Sequence, residues 1–257
     1  MSQITSPYLP PICFIIITTL TRPRQCCTVL EFELQNFPRS RAALSLLGYC
    51  YYHQQDFQRA SQTYEKLVKV CPGEEEYKIY YAQALFKAGQ YPEATRAAAK
   101  VDSPQFAQRI NMLLASIKYE SDELSACASK LDACLPDDPE TVIAYAAIAY
   151  KEGKFEEARV KYNEALNTLG YQADLSYNIA LCHYKLGQTA QALKVIGMII
   201  DRGVKEHPEL SVGSNTDGID VRSVGNSMVL QETRLVEAFN LKAAIEYNSK
   251  NLDAARE

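Results

Sequence analysis

From Leu44 onward, apolar residues fall at helical spacing, and the same spacing then returns further along the chain. Leu44, Leu47 and Tyr51 lie three and four residues apart, which places them on one face of a first helix. Gln54, Gln55 and Asp56 break the pattern, and Phe57 opens a second helix whose inner face carries Ala60, Tyr64 and Leu67. Gly48 and Ala60 are small where the two helices must come close. Pro72 cannot continue the second helix and ends the unit.

The close-contact position of the first helix reads Gly48, Ala82, Ala115, Ala146 and Ala180, and that of the second reads Ala60, Ala94, Cys127, Ala158 and Ala192. Both series step by 34, 33, 31 and 34 residues, so the two helices of each pair keep a fixed separation. The turns repeat as well, through Gly89-Gln90-Tyr91, Gly153-Lys154-Phe155 and Gly187-Gln188-Thr189, with glycine suited to a left-handed residue after the first helix. The third pair has Asp122-Glu123 at this turn and Cys127 at the contact position, degenerate but in phase. This is the tetratricopeptide pattern with its opening Trp replaced by Leu44, in a chain that contains no Trp. It predicts an all-α fold, a right-handed α-solenoid of stacked helix pairs.

The expected organisation is an atypical segment over 1–33 and a solenoid over 34–257. Ile12–Leu20 is strand-prone and too short to span a bilayer, and no Lys or Arg stands before Arg22 to form a secretory signal. A remnant helix is expected from about Gln25 to Asn36. Over 201–227, Gly203, Pro208, Gly213, Gly218 and Gly225 interrupt the rhythm and predict a long loop insertion. The apolar alternation over Ile219–Val224 suits an ordered cover. Arg234–Lys250 reads as another first helix, and the sequence stops inside the next, so the array is expected to be truncated at both ends.

Charge and cysteine usage remove several classes of function. A net charge of −4 with mixed signs shows no nucleic-acid footprint and no membrane-surface patch. Eight Cys form no Cys-x-x-Cys, and His53, His183 and His207 are scattered, so no metal site or cofactor is expected and the thiols read as reduced. Cys182-His183 are neighbours on one helix and face different directions, which rules them out as a nucleophile–base pair. No phosphate loop or nucleophile elbow is present, and a non-enzymatic protein is expected.

One residue per pair, just after the Tyr51-type core position, points toward the hollow of such a solenoid: Tyr52, Phe86, Tyr119, Tyr150 and Tyr184, all aromatic. Earlier on the same face lie Ile79, Met112, Ile143 and Tyr177, and beside the rings Lys87, Lys151 and Lys185 give a basic edge. Such a stripe suits an extended apolar or Pro-rich peptide, each buried contact contributing roughly 1.5–3 kcal/mol. The competing reading is that the rings pack between neighbouring repeats. A second kind of groove, a co-chaperone-type adaptor that captures acidic C-terminal peptides, would need a set of Lys, Arg and Asn, and Asn178 has no such company.

A closer resemblance rests on Pro38–Tyr52, Tyr91–Arg96, Asp174–Leu181, His207–Leu210, Asp220–Asn226 and Val236–Tyr247. These segments resemble the tetratricopeptide repeat protein 30 family, the fleer-type tetratricopeptide subunit of the intraflagellar transport B complex. The resemblance covers about Leu34 to Glu257, loop included. It implies a solenoid wound around a Pro-rich segment of a core B-complex subunit, with a possible link to kinesin-2 cargo machinery. It also implies roles in cilium assembly and tubulin polyglutamylation, at the cilium and in the cytoplasm, without nucleic-acid partners or membrane insertion. Residues 1–33 depart from the family's N-terminal repeat.

Overall fold

Caps at helix starts and left-handed turns at helix ends convert the periodicity into helix pairs. A computed structural model describes residues 23–208, 229–230 and 232–255, so the apolar run at 12–20 and the alternation at 219–224 lie outside the described residues. Met1–Leu135 form one compact unit. Its helices are α1 (Pro23–Asn36), α2 (Arg41–His53), α3 (Phe57–Val70), α4 (Glu75–Lys87), α5 (Tyr91–Ala98), α6 (Ala107–Glu120) and α7 (Leu124–Leu131), with a 3-10 turn at Pro104–Phe106. Pro136–Glu257 form the other unit. It holds α8 (Pro139–Lys151), α9 (Phe155–Leu169), α10 (Ala173–Lys185), α11 (Thr189–Glu206) and α12 (Leu235–Asn248). Among the described residues there is no strand.

Ser40, Asp56 and Asp138 each accept a hydrogen bond from a backbone N–H in the first turn of α2, α3 and α8. The first helices then stop in a common way. Gln55, Gly89, Asp122, Gly153, Gly187 and Lys250 have φ of 63, 76, 61, 80, 73 and 65°. The Gly89 N–H returns to the Phe86 carbonyl at 3.0 Å and the Gln90 N–H to the Leu85 carbonyl at 2.9 Å, which satisfies two carbonyls left over at the helix end. The equivalent pair of bonds closes the other five turns. Glycine adopts this backbone freely; Gln55, Asp122 and Lys250 adopt it against a cost of about 1–2 kcal/mol. The degenerate third pair therefore turns with the same geometry as the rest.

The helix faces meet as the spacing requires. Leu44, Leu47, Tyr51, Ala60, Tyr64 and Leu67 are buried together, and α1 adds Cys26 and Cys27 to that core. A further cluster in the same unit joins Ala82, Leu85, Phe86 and Ala94 to Leu113 and Ile117. In the second unit one core is built around Ala146, Ala158, Tyr162 and Ile179, and another around Ala180, Ala192, Ile196, Ile199 and Leu241. Gly48 is small for a specific reason: a Cβ there would lie 2.6 Å from Cε1 of Tyr64.

One expected boundary shifts. α1 takes the place of the helix expected from about Gln25 to Asn36, with Leu30 and Leu34 packed against the same core. α11 does not end at Asp201 but continues to Glu206. Ile199 and Gly203 keep its buried face in register, and a Cβ on Gly203 would meet Leu235 Cδ2 at 2.8 Å, so this glycine marks a close helix approach rather than a loop.

Two glycine substitutions separate space from propensity. Gly48→Ala should lower stability by about 1–3 kcal/mol, because the buried Tyr64 ring has to move. Gly197→Ala, within α11 and with nothing within 4 Å of the added Cβ, should raise it by up to about 1 kcal/mol. Urea unfolding followed by circular dichroism checks both, and equal midpoints would contradict the close packing at Gly48.

A ring-and-corner surface on the first helices

The first-helix aromatics are the next-to-last residues of their helices, and the carbonyl of each accepts the N–H of the left-handed residue three positions on. That geometry brings each side chain next to the opening residue of the second helix of its own pair. In the first unit, the Tyr52 ring meets Phe57 edge-on at 5.3 Å and the Phe86 ring lies 5.9 Å from Tyr91. In the second unit, Tyr150 meets Phe155 at 5.2 Å. Each ring therefore fills the corner of its helix pair. Tyr119 and Tyr184 occupy the same position opposite Leu124 and Thr189. The Tyr184 hydroxyl also accepts a hydrogen bond from Asn248 Nδ2 at 2.9 Å.

Burial sorts the expected surface. Tyr52, Met112, Tyr119, Ile143, Tyr150, Tyr177 and Tyr184 are half-buried, and Lys87, Lys151 and Lys185 are exposed. Ile79 is 0% exposed and Phe86 9%, so two residues expected to face a partner are core residues. The physical reason for Phe86 is Tyr91 on one side and the Lys87 ammonium 5.8 Å from the ring centre on the other. For Ile79, three residues before Ala82 and seven before Phe86, helical spacing alone puts the side chain on the buried face of α4. The alternative placed ring packing between repeats, and both kinds of packing occur. Tyr52, Phe86 and Tyr150 each meet a ring of their own pair. Tyr150 also packs against a core that includes Ile179 of the next pair, and Tyr184 reaches α12 through Asn248. A sixth ring missed in the sequence, Tyr247, holds the same position on α12 and is 67% exposed. Its signal was the turn at Lys250, three residues on, as Gly89 follows Phe86.

Charged residues near the starts of the first helices are paired. In the first unit Arg109 lies 3.5 Å from Glu76, its guanidinium over the rings of Tyr80 and Phe106 at 6.0 and 5.7 Å, while the Tyr80 hydroxyl donates to Glu76 at 2.6 Å. In the second, Arg234 donates to Asp174 and, at 2.7 Å, to Glu237. The hydrogen bond to Asp174 raises the Arg234 pKa above its ordinary value. Burial pushes the phenols of Tyr52 and Tyr177 up, with Glu237 adding to the effect at Tyr177. With Arg109 and Arg234 on carboxylates and Asn178 half-buried, the surface does not favour capture of an acidic C-terminus. Among the described residues no group of His, Cys, Asp and Glu could hold a metal ion, and no helix is long and apolar enough to cross a membrane.

Helix pairs joined by left-handed turns, with small residues at each close approach, define a tetratricopeptide-repeat protein. Solved structures agree on the fold. A tetratricopeptide repeat protein from Parabacteroides merdae matches with a TM-score of 0.58 at 12% identity, over 96% of this chain and 96% of that one. PilW, a type IV pilus biogenesis factor, matches with a TM-score of 0.60 at 14% identity, over 85% of this chain and 95% of that one. The sequence model of the family described as intraflagellar transport protein 56 matches residues 44–218, and the chain belongs to that family. It is 53% identical over 229 residues to intraflagellar transport protein 70A of Xenopus tropicalis, covering 89% of this chain and 35% of the relative. It is 48% identical over 247 residues to intraflagellar transport protein 70A2 of Rattus norvegicus, covering 92% of this chain and 37% of the relative. The chain thus spans about a third of the length of the curated relatives it matches.

Substitutions distinguish corner from edge. Phe86→Ala should cost about 3–5 kcal/mol through the cavity it leaves, whereas Lys87→Ala and Lys151→Ala should stay within about 0.5 kcal/mol of the parent. Urea midpoints measure all three, and a silent Phe86→Ala would show that this ring does not seal its corner.

Proposed function

We propose that the chain is a non-enzymatic scaffold of intraflagellar transport, a tetratricopeptide element of the B complex. The observation that carries this reading is the 53% identity to a protein named intraflagellar transport protein 70A, on a fold built for protein contact. Each unit carries a half-buried first-helix surface of its own for such contact, with Tyr52, Met112 and Tyr119 in the first and Ile143, Tyr150, Tyr177 and Tyr184 in the second. The occupant is an extended apolar or Pro-rich segment of a core B-complex subunit, which stacks on rings at low entropic cost. Corner packing supports the role: a ring held by its own helix pair loses little freedom when a partner covers its remaining edge. Lys87, Lys151 and Lys185 form the exposed rim, where charge favours encounter more than affinity. In this reading the fleer-type kinship extends to cilium assembly, tubulin polyglutamylation and kinesin-2 cargo, at the cilium and in the cytoplasm.

The test is capture of B-complex subunits from ciliated-cell extract by the tagged chain and by its Tyr150→Ala/Tyr184→Ala variant. The variant should retain helical circular dichroism and capture several-fold less. Equal capture overturns the assignment of the surface, and no capture by either chain overturns the scaffold reading.

A further inference from the structure

We propose that Cys26 of α1 and Cys50 of α2 form a disulfide on exposure to glutathione disulfide, stapling α1 to the first helix pair. Their sulfurs lie 3.5 Å apart, across 24 residues of sequence, so a short approach brings them to bonding distance. The thiols are 3% and 8% exposed and face each other inside the core that α1 shares with α2 and α3. Cys27, next in sequence, is the natural competitor. Its sulfur also comes within hydrogen-bond reach of Cys50, but it accepts a hydrogen bond from Gln54 Nε2 at 3.0 Å, and that engagement is what favours Cys26 as the partner.

The attachment of α1 gives the bond a consequence. Among the described residues α1 packs chiefly on α2, through Cys26, Cys27, Leu30 and Leu34 and a hydrogen bond from the Tyr51 hydroxyl to Glu31. Its outer side carries Val29 and Phe32, both exposed. A helix held on one side parts from its neighbour more readily than one packed on two. Burial favours the protonated form of Cys50, so exchange waits on that parting. Once α1 opens, one cysteine thiolate attacks a sulfur of glutathione disulfide and the first glutathione leaves as thiolate. The second cysteine thiolate then attacks the mixed disulfide and releases the second glutathione. Two protein thiols and one glutathione disulfide become one protein disulfide and two glutathiones; the two protons and two electrons pass to glutathione. The closed bond removes open states of the chain, so α1 can no longer leave α2.

The experiment uses the full chain, reduced and then incubated with glutathione disulfide. Intact mass should fall by two hydrogens, and titratable thiols in denaturant should drop from eight to six. Fragmentation of the cross-linked peptide should place the bond at Cys26 and Cys50. Cys27→Ser should still form it, and Cys26→Ser and Cys50→Ser should not. Oxidised chain should unfold at higher urea than reduced chain, reversibly with dithiothreitol. Eight free thiols after treatment, glutathione adducts alone, or a bond mapped to Cys27 would each overturn the proposal. So would an oxidised chain with a lower urea midpoint. The peptide mapping uses the unsubstituted chain and stands even where a serine variant fails to fold.

Discussion

At the end of each first helix a residue in the left-handed region sends its N–H back to the carbonyl of an aromatic residue, and the chain reverses. The reversal is tight enough to force the two helices into contact, and small residues make that contact tolerable. Gly48 admits the Tyr64 ring, and alanines at 82, 146 and 180 are fully buried where their helices meet. Without the turn, the apolar face of each helix would have no partner at the right distance, since a lone amphipathic helix cannot bury its own stripe. The cores of both units follow from it.

The same turn decides what the recurring rings can do. The next-to-last residue of each first helix faces the start of the next helix, so Phe57, Tyr91 and Phe155 become ring partners of Tyr52, Phe86 and Tyr150. Corner filling and partner contact then share one side chain. Phe86 lies at the packing extreme and Tyr247 at the exposed extreme, with the tyrosines between them. Acid–base pairs near the other ends of the first helices, Glu76 with Arg109 and Asp174 with Arg234, leave that end locally balanced. The half-buried rings and the exposed lysines beside them are the surface proposed to meet a partner, in a chain that belongs to an intraflagellar transport family.

Much of this was legible from spacing alone. The repeat of Gly48 at Ala82, Ala115, Ala146 and Ala180 identifies helix pairs because only a close approach demands small residues at that interval. The left-handed turn was readable where glycine stands, at 89, 153 and 187, and could be inferred at Asp122 only from phase. Ile79 and Gly203 were misassigned for one reason: position in the repeat states which face a residue shares, but a neighbour decides how deeply that face is covered. Ile79 is sealed beside Ala82 and Leu85, and Gly203 lies under Leu235.

The amino-acid sequence by itself determined the helix-pair period, the turn positions, the family and the candidate rings, because each is written as residue identity and spacing along the chain, within a repeat or from one repeat to the next. Only the tertiary structure decided that the rings pair within their own corners, that Arg109 reaches Glu76, and that Cys26 meets Cys50. Those contacts join residues in different helices, and they depend on the distance and angle at which two helices pack, which no spacing along one chain contains.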